Sequence, residues 1–172
     1  MPHKKILIAT GIYPPDIGGP ATMLGALAQS LNARGFAVRI LTFSDIKANP
    51  AEKDRGWRIA RHRPWRHLSY LGHLFWLGFW SDIVYVTDTY SVGYFAYLIK
   101  KITGKKYVLR FAGDSAWETA VANGWTKDYI VDFQEKKYDP RIEKLKQRRA
   151  KILINADKII AVSRFIFGIA EK

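Results

Sequence analysis

Apolar and polar residues are grouped in blocks along the chain, and the spacing of the apolar residues changes from one block to the next. Six short apolar runs predict buried strands, since continuous apolar residues are typical of strands covered on both faces. These runs are residues 6–9, 37–43, 57–60, 82–86, 106–111 and 158–162. Apolar residues at spacings of three and four predict helices between and after them. The predicted helices are residues 20–34, 67–80, 92–103, a segment around 117, 141–155 and 164–171.

Strands and helices therefore alternate for the whole length of 172 residues. This order predicts an α/β fold with a doubly wound, mostly parallel sheet of about six strands and helices on both faces. Parallel neighbours require crossover connections, which are right-handed. No repeat, low-complexity segment or interior linker divides the sequence, so residues 1–172 are expected to form a single domain.

The loop after the first strand predicts an anion site. Gly18 and Gly19 precede a helix that begins with Pro20, and glycine lets a phosphate approach the free N–H groups of a helix N-terminus. A plain turn is the alternative for such a pair. The G-x-G-x-x-G fingerprint of dinucleotide-binding proteins is absent, and Asp45 after the second strand is interpreted as a turn residue rather than a ribose ligand.

Polar residues follow three further strands. In a parallel sheet the carboxyl ends of the strands meet at one edge, where ligands bind. Each group alone could be a turn or a helix cap, and Arg110 with Asp114 could form an ion pair. The sequence has no metal-ligand spacing of histidines and no G-x-S-x-G motif. The candidate site residues at this edge are Asp88, Tyr90, Arg110, Asp114, Glu118 and Ser163.

The formal net charge of +13 favours anionic partners such as nucleotide phosphates or an anionic membrane surface. Basic residues are concentrated in 53–67 and 141–151. Nucleic acid is a minor alternative, because no helix-turn-helix, RRM or zinc-finger pattern is present. The chain has no cysteine, which excludes disulfides and thiolate chemistry.

Residues 68–80 are apolar on nearly every side of a helix. The segment is shorter than the roughly 20 residues needed to span a bilayer. Two interpretations remain open: a helix buried between the sheet and its neighbours, or an interfacial helix with its aromatic residues in a membrane surface.

The chain resembles the amino-terminal half of a family 4 glycosyltransferase of the GT-B fold. Three segments carry the resemblance: Tyr13-Pro14-Pro15-x-x-Gly18-Gly19 with the helix that follows, the strand at 82–86, and Ala156-Asp157-Lys158-Ile159-Ile160-Ala161-Val162-Ser163. The resemblance implies a Rossmann-like domain and a retaining transfer of sugar from a nucleotide diphosphate sugar. It implies no metal and no cofactor beyond that substrate.

The resemblance also assigns roles to residues. Gly18 and Gly19 would contact the donor diphosphate. Many members place a histidine after the fifth strand, where this chain has Phe111-Ala112-Gly113-Asp114, so Asp114 is expected to take the catalytic role beside the transferred sugar. The residues expected to hold the acceptor or line the cleft are Tyr13, Asp88, Tyr90, Arg110, Glu118 and Ser163.

The family resemblance further implies a carboxy-terminal domain that binds most of the nucleotide and is absent from this chain. We therefore expect the chain alone to bind nucleotide weakly and not to turn over. A cytoplasmic location is expected, with attachment to the inner face of a membrane as an option because several members use lipid-linked acceptors. The alternative function is a non-catalytic membrane-docking module that partners a separate catalytic chain.

Overall fold

The fold is a six-stranded, entirely parallel sheet. A computed structural model describes residues 4–45 and 56–171. The strand order is β3-β2-β1-β4-β5-β6, so the chain winds outward from β1 in both directions. This arrangement confirms the predicted doubly wound α/β fold. The strands are β1 (Lys5–Thr10), β2 (Ala37–Phe43), β3 (Gly56–Ile59), β4 (Ile83–Val86), β5 (Tyr107–Phe111) and β6 (Lys158–Ala161).

Helices connect the strands, and every helix predicted from periodicity is present. The loop predicted between β2 and β3 lies largely outside the described residues. One helix, α5, was not predicted, because six residues are too few to show a period. The helices are α1 (Gly19–Ala33), α2 (Arg66–Trp80), α3 (Val92–Thr103), α4 (Ser115–Ala122), α5 (Ile130–Glu135), α6 (Pro140–Ile154) and α7 (Arg164–Ala170).

The sheet is covered on both faces. Neighbouring residues of β1 point in opposite directions, and both directions are apolar: Leu7 joins one buried cluster and Ile8 another. The larger cluster packs against α2, α3, α6 and α7, and the smaller one lies under α1. A third cluster, around Phe133, joins α4, α5 and α6 beyond the sheet.

Buried hydroxyl groups hold the carboxyl ends of the central strands in place. Tyr70 of α2 is fully buried, and its hydroxyl lies 3.1 Å from the Thr10 carbonyl and 2.9 Å from the Leu41 carbonyl. Thr87 donates a hydrogen bond of 2.9 Å from its hydroxyl to that of Thr10. The ends of β1, β2 and β4 are therefore fixed relative to one another and to α2.

The first turn of α3 lies directly against the loop that precedes it. A Cβ atom at Gly93 would overlap the Asp88 carbonyl oxygen and would lie 3.1 Å from Cγ2 of Ile152. Glycine thus permits the short connection from β4 to α3. Among the described residues, the structure contains no helix with the length and apolarity needed to cross a membrane.

Two glycines in helices test this close approach. We expect Gly93→Ala to lower the free energy of unfolding by about 1–3 kcal/mol or more, since the added methyl group meets backbone that cannot move cheaply. Gly72→Ala, in α2, meets nothing within 4 Å and should raise it by about 0.5–1 kcal/mol. Urea unfolding of both variants measures the difference. Equal effects would contradict the close approach.

Candidate functional site

A pocket of about 170 Å³ opens at the carboxyl ends of β4 and β5, and we call it the strand-end pocket. Its walls are the loop after β4, the end of β5 and the first turn of α4. Three of the predicted site residues meet here, at the edge of the sheet that the topology indicated. The lining residues are Thr87, Asp88, Thr89, Arg110, Phe111, Ala112, Gly113, Ser115 and Glu118.

Asp88 orders the loop between β4 and α3. Its Oδ1 accepts hydrogen bonds from the backbone N–H groups of Tyr90 (2.9 Å), Ser91 (2.9 Å) and Val92 (3.2 Å). Burial raises the pKa of Asp88, and these N–H donors oppose that rise. Much of its hydrogen-bonding capacity is therefore used to start α3.

Glu118 leans over Gly113. A Cβ atom at position 113 would overlap Oε1 of Glu118, so the carboxylate occupies the space that any other side chain at 113 would need. Burial, followed by the nearby charge of Asp114, raises the pKa of Glu118. The strand-end pocket thus contains a carboxyl group whose charged form is disfavoured, together with the Arg110 guanidinium.

Asp114 lies beneath this pocket and is fully buried. It caps α4 by accepting hydrogen bonds from the N–H groups of Ala116 (3.0 Å) and Trp117 (3.3 Å). Its other oxygen accepts from Gln134 (2.8 Å) and forms an ion pair with Arg149 of α6. The ion pair considered between Arg110 and Asp114 is absent, because Arg149 is the partner. The catalytic role of Asp114 stays a prediction, and its carboxylate has no surface in the pocket.

The glycine pair lies at the N-terminus of α1, as expected. No side chain caps this helix, and Gly18 has φ 153°, a value that favours glycine. A Cβ atom at Gly19 would meet nothing within 4 Å, so the backbone here faces open space. Whether a diphosphate binds these amides stays a prediction.

The other predicted residues are dispersed. Tyr90 lines a second pocket of about 420 Å³, which contains Arg61, Arg66 and His67 and is here called the basic pocket. Tyr13 is buried with Ile8 and Leu24 in the cluster under α1. Ser163 caps α7 by accepting a 3.2 Å hydrogen bond from the Ile166 N–H.

Sequence reasoning missed several residues of the strand-end pocket. Thr89 and Ser115 come from different connections, and their hydroxyl oxygens lie 2.6 Å apart across the pocket. Gly113 gave no signal of its own, and the partners of Asp114 are 20 and 35 positions away from it. Within residues 4–45 and 56–171, no group of three histidine or acidic residues could hold a metal ion.

Comparison with known proteins links this geometry to one family. The family described as Glycosyltransferase Family 4 matches residues 17–170, which is most of the chain. No curated protein matches the sequence.

Solved structures share the fold. A protein described as a UDP-N-acetylglucosamine 2-epimerase from Listeria monocytogenes has 14% identity and a TM-score of 0.58, and the match covers 99% of this chain. The same enzyme from Methanocaldococcus jannaschii has 12% identity and a TM-score of 0.58 over 97% of this chain. The chain covers 42% of each of these two proteins. An α-glucosyltransferase in complex with UDP and a 13-mer DNA has 10% identity and a TM-score of 0.51, over 92% of this chain and 38% of its own.

The Asp114–Arg149 pair should dominate the stability of the strand-end pocket. We expect Arg149→Met to lower the free energy of unfolding by about 3–5 kcal/mol, because it leaves a buried carboxylate without its cation. Arg141→Met, on the same helix, breaks an exposed pair with Asp139 and should cost about 1 kcal/mol or less. Chemical denaturation compares the two. Similar losses would show that the buried pair has no special importance.

Proposed function

The chain belongs to glycosyltransferase family 4, and from this we propose that it is the acceptor-side domain of an enzyme that transfers a sugar from a nucleotide diphosphate sugar. The strand-end pocket carries this proposal. It places Arg110 and Glu118 at the carboxyl edge of a doubly wound sheet, where such folds bind ligands. A hydroxyl-lined pocket with one cation and two carboxyl residues, of which Asp88 is engaged by its own loop, suits a sugar that bears a phosphate.

The α1 N-terminus supplies the second part of the proposal. Gly18 and Gly19 present backbone N–H groups at the positive end of a helix, and no side chain occupies them. We assign this feature to the donor diphosphate. The base and the other phosphate contacts would come from a second domain. The donor is then a substrate, and neither a metal nor another cofactor is proposed.

Within the strand-end pocket, we assign Glu118 to a sugar hydroxyl and Arg110 to an anionic oxygen of the substrate. Asp114 was expected to be catalytic from the family resemblance. Because its carboxylate is buried and holds α4 to α6, we instead propose it as a positioning residue that keeps Gly113 and Glu118 in place.

Glu118→Gln tests the assignment in the protein that combines this chain with its second domain. Loss of a charged hydrogen-bond acceptor should lower kcat/KM for transfer by about tenfold or more. Stability should not fall, since the raised pKa shows that the fold disfavours the ionised carboxylate. Glu171→Gln, on the exposed end of α7, is the matched control.

The assay measures sugar transfer from a panel of nucleotide diphosphate sugars, and thermal melting of each variant accompanies it. Unchanged kcat/KM in Glu118→Gln would remove Glu118 from the site. Absence of transfer from every donor in the panel would count against the glycosyltransferase proposal itself. Transfer by the 172-residue chain alone would contradict the proposed division of nucleotide contacts between two domains.

A second candidate property rests on the exposed face of α2. Its outer stripe consists of Trp65, at the N-cap, with Leu68, Trp76 and Phe79, which are 61%, 75%, 75% and 60% exposed. The opposite face of the helix packs Tyr70, Leu74 and Leu77 into the core. One face of α2 is therefore buried against the core, and the opposite face is apolar and exposed.

We propose that this stripe lies in the surface of an anionic membrane, which would bring the enzyme to a lipid-linked acceptor on the cytoplasmic side. Arg63 and Arg66 are exposed at the start of the helix and would meet the headgroups. The non-catalytic docking module remains the alternative function. It predicts the same membrane binding without any sugar transfer.

Leu68→Ser combined with Trp76→Ser tests the membrane proposal. Each change removes burial of a large apolar side chain worth about 1.5–3 kcal/mol, so partitioning onto vesicles of phosphatidylglycerol and phosphatidylcholine should weaken by about tenfold or more. Ile154→Ser is the control, since Ile154 is 82% exposed on α6. Co-sedimentation measures the binding. If the unmodified chain does not bind these vesicles, the exposed stripe of α2 does not bind a membrane.

A further inference from the structure

We propose that the basic pocket binds a phosphate ester group of the acceptor. This inference rests on the proposed function, because it names the chemical class of the acceptor. The pocket has a volume of about 420 Å³ and is formed by the ends of β1 and β2, the start of α2 and the loop before α3. It is separate from the strand-end pocket, but residues 87–91 contribute to both.

The acids beside this pocket are already engaged. Asp16 forms an ion pair of 2.5 Å with Arg61, so that arginine brings little net charge. Asp88 accepts its three backbone hydrogen bonds from the loop. Neither carboxylate forms an ion pair with Arg66 or Arg148.

Two arginines at the basic pocket have no carboxylate partner among the described residues. Arg66 donates a 2.6 Å hydrogen bond to the Arg61 carbonyl and lies 3.4 Å from Nε2 of His67. Arg148 of α6 does not line the pocket but lies beside its Tyr90 wall. Its guanidinium stacks 4.0 Å from the Tyr94 ring and lies 5.9 Å from the Tyr90 ring, and its buried Nε has no hydrogen-bond partner.

The charges of these two arginines converge on His67. Burial lowers the pKa of His67 most, and the charges of Arg66 and Arg148 lower it further. A bound anion would give Arg66 the counter-charge that no described carboxylate supplies. Arginine suits phosphate in particular, because its planar guanidinium donates two parallel hydrogen bonds to phosphate oxygens. Tyr90 supplies an aromatic wall that an attached sugar could contact.

A phosphate ester could come from a lipid-linked acceptor or from a soluble sugar phosphate. The exposed side chains of Trp65 and Leu68 flank Arg66 and His67 in the sequence, which places the pocket beside the apolar stripe of α2. This proximity is compatible with a lipid phosphate. The shared chemistry is the phosphate ester, and the test separates the two sources.

The test measures binding directly and does not depend on turnover. Titration calorimetry of the chain with glycerol 3-phosphate should show binding that glycerol does not show. Co-sedimentation with vesicles of phosphatidylcholine containing phosphatidic acid forms the lipid arm. Arg66→Gln should weaken binding of the phosphate probe by about tenfold or more, since it removes a charge-assisted contact. Arg148→Gln should weaken it less, since it removes a positive charge beside the pocket and no direct contact. Arg148→Lys keeps the charge and should retain more affinity than Arg148→Gln.

Arg34→Gln is the matched control, because Arg34 is exposed at the end of α1 and does not line the basic pocket. Thermal melting establishes that each variant is folded, and Arg66→Gln serves as the second variant if the loss of Arg148 from Tyr94 disturbs packing. If Arg66→Gln loses binding to the vesicles alone, the phosphate ester belongs to a lipid. If Arg66→Gln loses binding to glycerol 3-phosphate, the phosphate ester belongs to a soluble molecule. Both results support the phosphate site.

The inference is overturned if neither probe binds the unmodified chain, or if Arg34→Gln weakens binding as much as Arg66→Gln does. Its failure is distinguishable from failure of the proposed function. Phosphate binding that depends on Arg66 and Arg148, without sugar transfer from any nucleotide sugar, would retain the site and reject the glycosyltransferase role. Sugar transfer without phosphate binding at the basic pocket would retain the glycosyltransferase role and reject the phosphate site.

Discussion

The geometry of the strand-end pocket depends on a buried ion pair. Asp114 follows β5 and Arg149 lies near the end of α6, and each charge would be costly to bury without the other. Asp114 also caps α4 and accepts a hydrogen bond from Gln134 of α5. One carboxylate therefore fixes three helices relative to the end of β5. The position of the pocket wall follows from that constraint.

Helix capping by a carboxylate occurs twice along the edge of the sheet. Asp88 after β4 and Asp114 after β5 each accept hydrogen bonds from backbone N–H groups at the start of the helix that follows. A carboxylate at a strand end can thus be needed for local structure before any ligand is considered. Glu118 differs from both, because it comes one turn into α4 and leans over Gly113 without a hydrogen-bonding role in a cap. This difference is why the proposed substrate contact falls on Glu118.

The strands and most helices could be predicted because their signal is local. Runs of apolar residues located all six strands within one or two residues. Gly104 ends α3 in the left-handed conformation that is typical of a glycine at the C-terminus of a helix. The partner of Asp114 could not be predicted, since nothing local relates it to a residue 35 positions away. The basic pocket was missed for the same reason: Arg61 and Tyr90 come from separate segments, and the sequence showed only that each segment was basic or polar.

The distribution of ion pairs gives physical meaning to the excess of positive charge. Lys100 pairs with Asp157 and Lys136 with Asp128, both away from the two pockets. Arg110 and Arg148 are half-buried, yet neither has a carboxylate partner among the described residues. Desolvation disfavours the charge of a half-buried cation that has no ion-pair partner. Arg110 lines the strand-end pocket and Arg66 the basic pocket, and at both an anionic substrate would supply a counter-charge.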